Sequence, residues 1–581
     1  MHSIKRLAGC IREYKTQSIL SPLFISLEVL IEVMIPFTTA GLIDSIESKA
    51  AIGVIAGYGG RLLLLAVLSL ICGALSGHFC AVASSGFAKN LRHDLFRAVQ
   101  NFSFSNIDKF STSSLVTRLT TDVTNVQNSF MMIIRTALRS PLMLTFSVIM
   151  TYRINKKLTL VFLAAIPFLV IGVTMMMKTV LPLFKKIFKK YDALNNSIQE
   201  NVSGIRAVKS FVREDYEKQK FAVASDDVCD NFTRAEKLMA LANPLIQMAI
   251  YVVMLLICYL GSKLIITSGN TELTVGGLSS VMTYGMQVLM SLMMFTMTFV
   301  MISMSTAAAN RIVEVLDEEC TIQNPENPVM KVKDGSIVFE NVSFSYLPDS
   351  KSKTLEDINL SISSGETIGI IGATGSSKTS LIQLISRLYD VNSGSVKVGG
   401  VDVRDYDVRA LRDAVSVVLQ KNVLFSGTVK DNLKWGNKDA TDEEIKRACV
   451  LAQADEFVMS RGGYDSEIER GGTNVSGGQK QRLCIARALL KKPEVLIFDD
   501  STSAVDTKTD ALIRKALREE IPETTKIIIA QRISSVQDAD RIVVIDNGRI
   551  NGVGTHDELI ENNQIYREVY ESQTRAGDFD V

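Results

Sequence analysis

Gly372-Ala373-Thr374-Gly375-Ser376-Ser377-Lys378-Thr379-Ser380 is the stretch that decides the fold of the second half of this chain. It follows the apolar run Thr367-Ile368-Gly369-Ile370-Ile371, which reads as a buried strand, and it opens Ser380-Leu381-Ile382-Gln383-Leu384-Ile385, which reads as a helix. A glycine-bearing turn between strand and helix aims backbone N–H groups at a phosphate. Lys378 then reaches the outer phosphates of a nucleotide, and the Thr379 hydroxyl can hold Mg²⁺. Ser377 stands where this pattern ordinarily has glycine, so the match fails by one residue. A Gly/Ser turn that merely enters a helix is the competing reading.

The downstream sequence favours the phosphate loop. Val495-Leu496-Ile497-Phe498-Asp499 reads as a buried strand ending in an acid, a common way to hold a water-bridged Mg²⁺. Just upstream, Val475-Ser476-Gly477-Gly478-Gln479 opens the helix Lys480-Gln481-Arg482-Leu483-Cys484-Ile485-Ala486-Arg487, whose start can again present N–H groups to phosphate. With Ser-Gly-Gly-Gln between the two Walker-type elements, the chain resembles a half-transporter of the ATP-binding cassette (ABC) exporter family over nearly its whole length. Smaller elements agree with the resemblance. Tyr346 in Phe344-Ser345-Tyr346 sits where the family stacks adenine, Gln420 occupies the Q-loop position, and Ser503-Ala504-Val505-Asp506 resembles the D-loop.

The resemblance implies a membrane α-helical bundle with long cytosolic extensions, followed by an α/β P-loop ATPase domain with a helical subdomain. It also implies ATP and Mg²⁺ as cofactors, with Thr379, Gln420 and Asp499 around the metal. Two such domains are expected to pair head to tail, so that Ser476, Gly477, Gly478 and Gln479 face an ATP held by a partner chain.

Two departures from the family pattern then matter. Asp500 stands where the family has a glutamate as general base, and its carboxylate falls about 1.3 Å short of a water it must approach within roughly 3 Å. Gln531 stands at the switch-histidine position; an amide donates a hydrogen bond but carries no charge. The four histidines are His2, His78, His93 and His556, none close to Gln531 in sequence. Together with Ser377, these departures predict a site that binds ATP and hydrolyses it poorly, in a heterodimer with a different half-transporter. The bland alternatives are that Asp500 works from a shifted backbone and that Gln531 is a neutral replacement.

Outward from this domain, which is read as 331–581, a linker over 311–330 holds Pro325 and Pro328. Before it, 17–310 carries apolar runs long enough to cross a hydrocarbon core of roughly 30 Å. Six spans are expected, near 17–44, 57–84, 131–152, 158–178, 241–267 and 278–304, behind a cytosolic segment 1–16. A cleaved signal peptide is disfavoured by the length of the first run, and so short a leading segment leaves no room for a peptidase domain. The long connection from Lys178 to Lys237 holds twelve Lys or Arg, including Lys185, Lys186, Lys189 and Lys190, and is cytosolic by the positive-inside rule. Arg153, Lys156 and Lys157 in an outer loop break the trend. A multi-pass protein of a bacterial plasma membrane, with a cytoplasmic nucleotide-binding domain, is the expectation. By resemblance, short helices near Ser113–Leu119 and Asn201–Lys209 couple the domains.

With 47% hydrophobic residues the chain is too apolar for a purely soluble protein, and a net charge of +1 gives no case for nucleic acid. The eight cysteines show no C-x-x-C spacing, which argues against zinc or a disulfide framework. Met282, Met286, Met290, Met293, Met297, Met301 and Met304 form one helical stripe, suited to varied apolar ligands or to packing on a neighbouring helix. Glu28 and Glu32 lie one turn apart in the first span, where they can bind a cation or pair with Arg135 or Arg139. Export of an amphipathic or hydrophobic compound (drug, lipid or small peptide) is the leading reading. A slow homodimeric exporter and an ATP-gated channel or membrane regulator are the alternatives.

Overall fold

The computed structural model describes residues 2–240, 242–347, 353–501 and 505–577; among these, the side chains of His2, many between 169 and 196, several between 238 and 246, Met304 and 575–577 lie outside the description. The chain divides into two compact units: Met1–Gln100 with Thr112–Glu318, and Asn101–Ser111 with Glu319–Val581.

The first unit is helical. Its long elements are α1 (Lys15–Glu47), α2 (Ile52–Asn101), α3 (Val123–Ile134), α4 (Thr136–Ile154), α5 (Lys156–Ser203), α6 (Glu214–Ala240), α7 (Ala242–Ser268) and α8 (Val275–Leu316). Among the described residues, five stretches are long and apolar enough to cross a membrane: Ser3–Glu47, Ile52–Asn101, Thr112–Ile154, Gln247–Ser268 and Val275–Leu316. The span expected at 158–178 falls on α5, where many side chains lie outside the description.

Lipid offers no hydrogen bonds, so polar groups in such helices must find partners inside the protein. Pro36 brings no N–H to the α1 ladder, and two α8 hydroxyls bond to α1 carbonyls around it. Ser280 Oγ donates to the Pro36 carbonyl at 2.5 Å, and the fully buried Tyr284 hydroxyl donates to the Val33 carbonyl at 2.6 Å. Ser21 and Ser76 each donate to the other's carbonyl at 3.1 Å, closing α1 onto α2. The short loops meet at one end of the unit. Asp44 accepts from Thr274 Oγ1 and the Gly276 N–H at 2.8 Å, and Lys157 pairs with Glu272 at 2.9 Å. One of the three cations that broke the charge trend is therefore matched by the adjacent loop.

The second unit is α/β. Besides a short pair, Gly427–Thr428 with Glu467–Ile468, its strands are β1 (Ile337–Phe344), β2 (Leu355–Ile362), β3 (Thr367–Ile371), β4 (Ser393–Val398), β5 (Val401–Asp402), β6 (Val415–Val418), β7 (Val495–Asp499), β8 (Thr525–Ile529), β9 (Arg541–Asp546) and β10 (Arg549–Gly554). One sheet runs β10-β9-β3-β8-β7-β6, with every pairing parallel except β9 with β10. β7 and β8, central in the sheet, are buried along their whole length, with apolar Val495–Phe498 and Ile527–Ile529 filling both faces and Asp499, Thr525 and Lys526 as the buried polar exceptions. A second, antiparallel sheet runs β2-β1-β4-β5. A helical portion holds Asp442–Leu451, Asp455–Ser460 and Gly477–Leu490, packed around the buried Cys449, Val458 and Ile485. All eight cysteines are free.

The segment Asn101–Ser111 belongs to this second unit. Its short helix Phe104–Lys109 is closed by a capping box of Ser103 and Asn106, and Asn106 Nδ2 donates to the Glu319 carbonyl at 3.0 Å. Short helices also lie at the two places where coupling elements are expected, Thr112–Thr117 and Ile205–Ser210, both within the first unit.

Candidate nucleotide site

Parallel strands place their C-terminal ends along one edge, and ligands of such sheets gather there. In the order β3-β8-β7-β6 that edge carries the loop 372–377 after β3, Gln531 after β8, Asp499 and Asp500 at the end of β7, and Gln420 after β6. Residues far apart in sequence become neighbours because β8 inserts between β3 and β7.

The loop leads into helix Lys378–Ile385. A Cβ at Gly372 would sit 2.2 Å from the Ile545 carbonyl oxygen, so only glycine fits. Gly375 is left-handed, with φ +85°. Ser377 is also left-handed (φ 73°, ψ 21°) and makes no side-chain cap, a conformation that costs a non-glycine residue about 1 kcal/mol. Lys378 Nζ donates to the carbonyls of Gly372 and Ala373 at 2.8 Å and lies 3.3 Å from Ser376 Oγ. Burial pulls the Lys378 ammonium down from its ordinary range, against the pull of Asp500 and Asp499. Thr379 Oγ1 donates to Asp499 Oδ1 at 3.0 Å. Asp499 is only 4% exposed; burial pushes its carboxyl up and Asp500 adds to this, while Thr379 and Lys378 oppose it. A bound divalent cation would relieve that strain, so the oxygens of Thr379 and Asp499 fit Mg²⁺. Thr374 lies in the turn between Gly372 and Gly375.

Asp500 leaves β7 in a left-handed conformation (φ 47°), its N–H bonded to the Ile529 carbonyl of β8. Its Oδ2 accepts from Gln531 Nε2 at 2.8 Å and from Gln420 Nε2 at 3.3 Å. Gln573 holds the Gln531 loop, donating to the Gln531 carbonyl and accepting from the Ile533 N–H, both at 2.8 Å. His556 is engaged with the Tyr566 hydroxyl at 2.7 Å.

Tyr346 is half-exposed beside the helix that follows the loop. Its hydroxyl donates to Gln383 Oε1 and lies within hydrogen-bond distance of Ser380 Oγ, both at 2.9 Å. At Gly477–Leu490, Ser476 Oγ accepts from the Gln479 N–H at 3.3 Å while Gln479 Oε1 accepts from the Ser476 N–H at 3.0 Å. That box ties Ser476 to Gln479 and leaves the N–H groups of Gly477 and Gly478 at the helix start. Asp506 caps helix Thr507–Glu520 through the Thr509 N–H at 2.9 Å. Ser503 lies outside the described residues.

In the first unit, Arg139 takes both acids: Nη1 meets Glu28 Oε1 at 2.5 Å and Nη2 meets Glu32 Oε2 at 2.6 Å. The pairing left open by the sequence falls to Arg139. Met286, Met290, Met293, Met297 and Met301 are exposed on α8, whereas Met282 packs beside Cys258. The side chain of Met304 lies outside the description.

A parallel-sheet ATPase domain with a phosphate loop, joined to a unit of long apolar helices, defines a membrane-bound P-loop ATPase. Residues 18–293 match the ABC transporter transmembrane region and residues 355–503 match the ABC transporter domain. The chain is 36% identical over 547 residues to the uncharacterized ABC transporter ATP-binding protein YfiB of Bacillus subtilis, covering 94% of each. It is 33% identical over 569 residues to an uncharacterized ABC transporter ATP-binding protein of Mycobacterium tuberculosis, covering 97% of each. Its fold matches the structure of a bacterial Atm1-family ABC exporter with ATP bound, with a TM-score of 0.81 at 23% identity, over 97% of this chain and 98% of that one. The chain belongs to the ABC transporter family. It is a multi-pass membrane protein with an exporter fold, whose ATPase domain couples ATP hydrolysis to transport.

Proposed function

We propose that this chain is one subunit of a heterodimeric exporter of amphipathic or hydrophobic compounds. Its own site holds ATP and hydrolyses it poorly, while Ser476–Gln479 complete the active site of a different half-transporter. The observation that carries this reading is the double amide contact on Asp500 Oδ2, from Gln531 at 2.8 Å and Gln420 at 3.3 Å. A general base needs a free lone pair within reach of the attacking water and a neighbour that stabilises the proton it gains. Asp500 is one methylene short, its outer oxygen is occupied, and neither amide can take up charge. General-base assistance is worth roughly 10² to 10⁴ in rate, about 3 to 5 kcal/mol. Its loss leaves binding in place.

Binding rests on other groups. The N–H groups of 372–378 and Lys378 would cradle the phosphates, Tyr346 would offer a ring face to the base, and Thr379, Asp499 and Gln420 would hold Mg²⁺. Mg²⁺, when bound, neutralises charge on the outer phosphates. The exposed methionines of α8 favour an apolar cargo, because thioether side chains repack around varied shapes. The fork between Arg139 and the two glutamates satisfies one acid oxygen of each and favours a structural role for Glu28 and Glu32 over a cation site.

The test is phosphate release by the purified chain in lipid nanodiscs. On this reading it is at least tenfold slower than an ordinary exporter's roughly 1 to 10 per second, and it rises when the second half-transporter is added. Ordinary turnover by this chain alone sinks the proposal in favour of a homodimer. ATP-dependent uptake into inside-out vesicles containing both chains separates pumping from a gated conductance.

A further inference from the structure

Tyr389 is half-buried between the base-facing ring and a segment remote in sequence. Its hydroxyl donates to Asp108 Oδ2 at 2.5 Å. Its ring stands edge-on to Tyr346, with centroids 5.1 Å apart at 89°, and contacts Phe344 at 5.7 Å and Phe104 at 6.2 Å. Such edge contacts have geometric preferences, so a shift of one ring displaces the next. Tyr346 is fixed at its other end by Ser380 and Gln383, on the helix that follows the phosphate loop. Burial, then the Asp108 carboxylate, push the Tyr389 phenol well above its ordinary range, so it stays a neutral donor at any physiological pH. Asp108 and Phe104 both sit in Asn101–Ser111, the piece of the first long connection that packs within the second unit.

We propose that Tyr389 is a positioning residue that ties the ring of Tyr346 to Asp108, so that occupancy of the nucleotide-base face and the setting of Asn101–Ser111 bias one another. This rests on reading Tyr346 as the base contact. Coupling of this kind is reciprocal: whatever the segment does to base affinity, the base does to the segment. Only the base-dependent part of nucleotide affinity passes through Tyr346. The phosphate cradle has its own anchors in Lys378 and Thr379, which gives the test its control.

The test compares equilibrium binding of ATP and of inorganic tripolyphosphate, both with Mg²⁺, to the full chain in nanodiscs. Tyr389→Phe removes only the donor and Asp108→Ala removes the acceptor. Each is expected to weaken ATP by about threefold to tenfold and to leave tripolyphosphate within about twofold. The double variant should be no weaker than the weaker single, since both remove one contact. Equal losses for both ligands would show a general structural role, and additive losses or no loss would show that the two residues do not act together; each overturns the proposal. Tyr346→Leu separates the failures. If it spares ATP, the base-contact reading falls and the inference falls with it. If it weakens ATP selectively while Tyr389→Phe and Asp108→Ala do not, only the coupling fails.

Discussion

Two helices of the nucleotide-binding domain begin at a serine, and the two serines are built differently. Ser476 is extended (φ −68°, ψ 162°) and caps its helix in a reciprocal box with Gln479. Ser377 is left-handed (φ 73°, ψ 21°) and caps nothing. Both helix starts point N–H groups outward for phosphate. The first keeps the family pattern and is locally satisfied, whereas the second carries a residue strained by its backbone and stands near an acid held by two amides. On the proposed reading the contrast is functional: one helix start serves a competent site on another chain, the other a site that holds.

The sharpest way to break the comparison is Gly477→Asp. An acid in the first turn suits the helix dipole, so the fold should tolerate it, but its charge would face the partner's ATP. In the assembled pair, ATPase should fall by about 10² to 10³, the scale of losing one positioned donor. Asp500→Asn in the same pair should change the rate by less than about threefold. Comparable losses from both would mean that both sites turn over.

A smaller effect, of opposite sign, comes from restoring the family residues. Asp500→Glu with Gln531→His should raise phosphate release at this chain's own site by about 10- to 100-fold, below the full value of a general base because Gln420 still crowds the carboxylate. Either substitution alone should do much less, since a base without its stabilising neighbour remains weak. A null double variant, with ATP still bound, would place the defect outside this pair of residues.

How much of this could be read from sequence follows from how local each feature is. The strand-loop-helix at 367–385 and the helix start at 476 are written in consecutive residues, so motif spacing captured them. The bond from Gln531 to Asp500 spans 31 residues and depends on β8 lying between β3 and β7, a strand order that periodicity does not encode. Arg139 reaches Glu28 across 111 positions, and only the fold chooses it over Arg135. Helix Phe104–Lys109 was missed because it is six residues long and its cap uses Asn106 where Glu or Gln would have flagged a box. Gln573 and Tyr389 carried no motif at all; a lone glutamine in a terminal helix and a tyrosine after a helix have no spacing to betray them.

The smallest expected effect returns to the two serines as a matter of stability. Ser476→Ala removes the cap acceptor and should cost about 1 kcal/mol, lowering the melting temperature of the nucleotide-binding domain by roughly 2 to 4 °C. Ser377→Ala removes no cap and keeps the left-handed strain, so it should be close to neutral. Ser377→Gly relieves about 1 kcal/mol of strain but gives the unfolded chain more freedom, leaving a gain of about 0.5 kcal/mol. Differential scanning calorimetry of the full chain with and without ATP checks all three. If Ser377→Gly also tightens ATP, the left-handed serine bears on nucleotide binding as well as on stability; if it only raises the melting temperature, its effect is confined to stability, and the slow hydrolysis proposed above is left to Asp500 and Gln531.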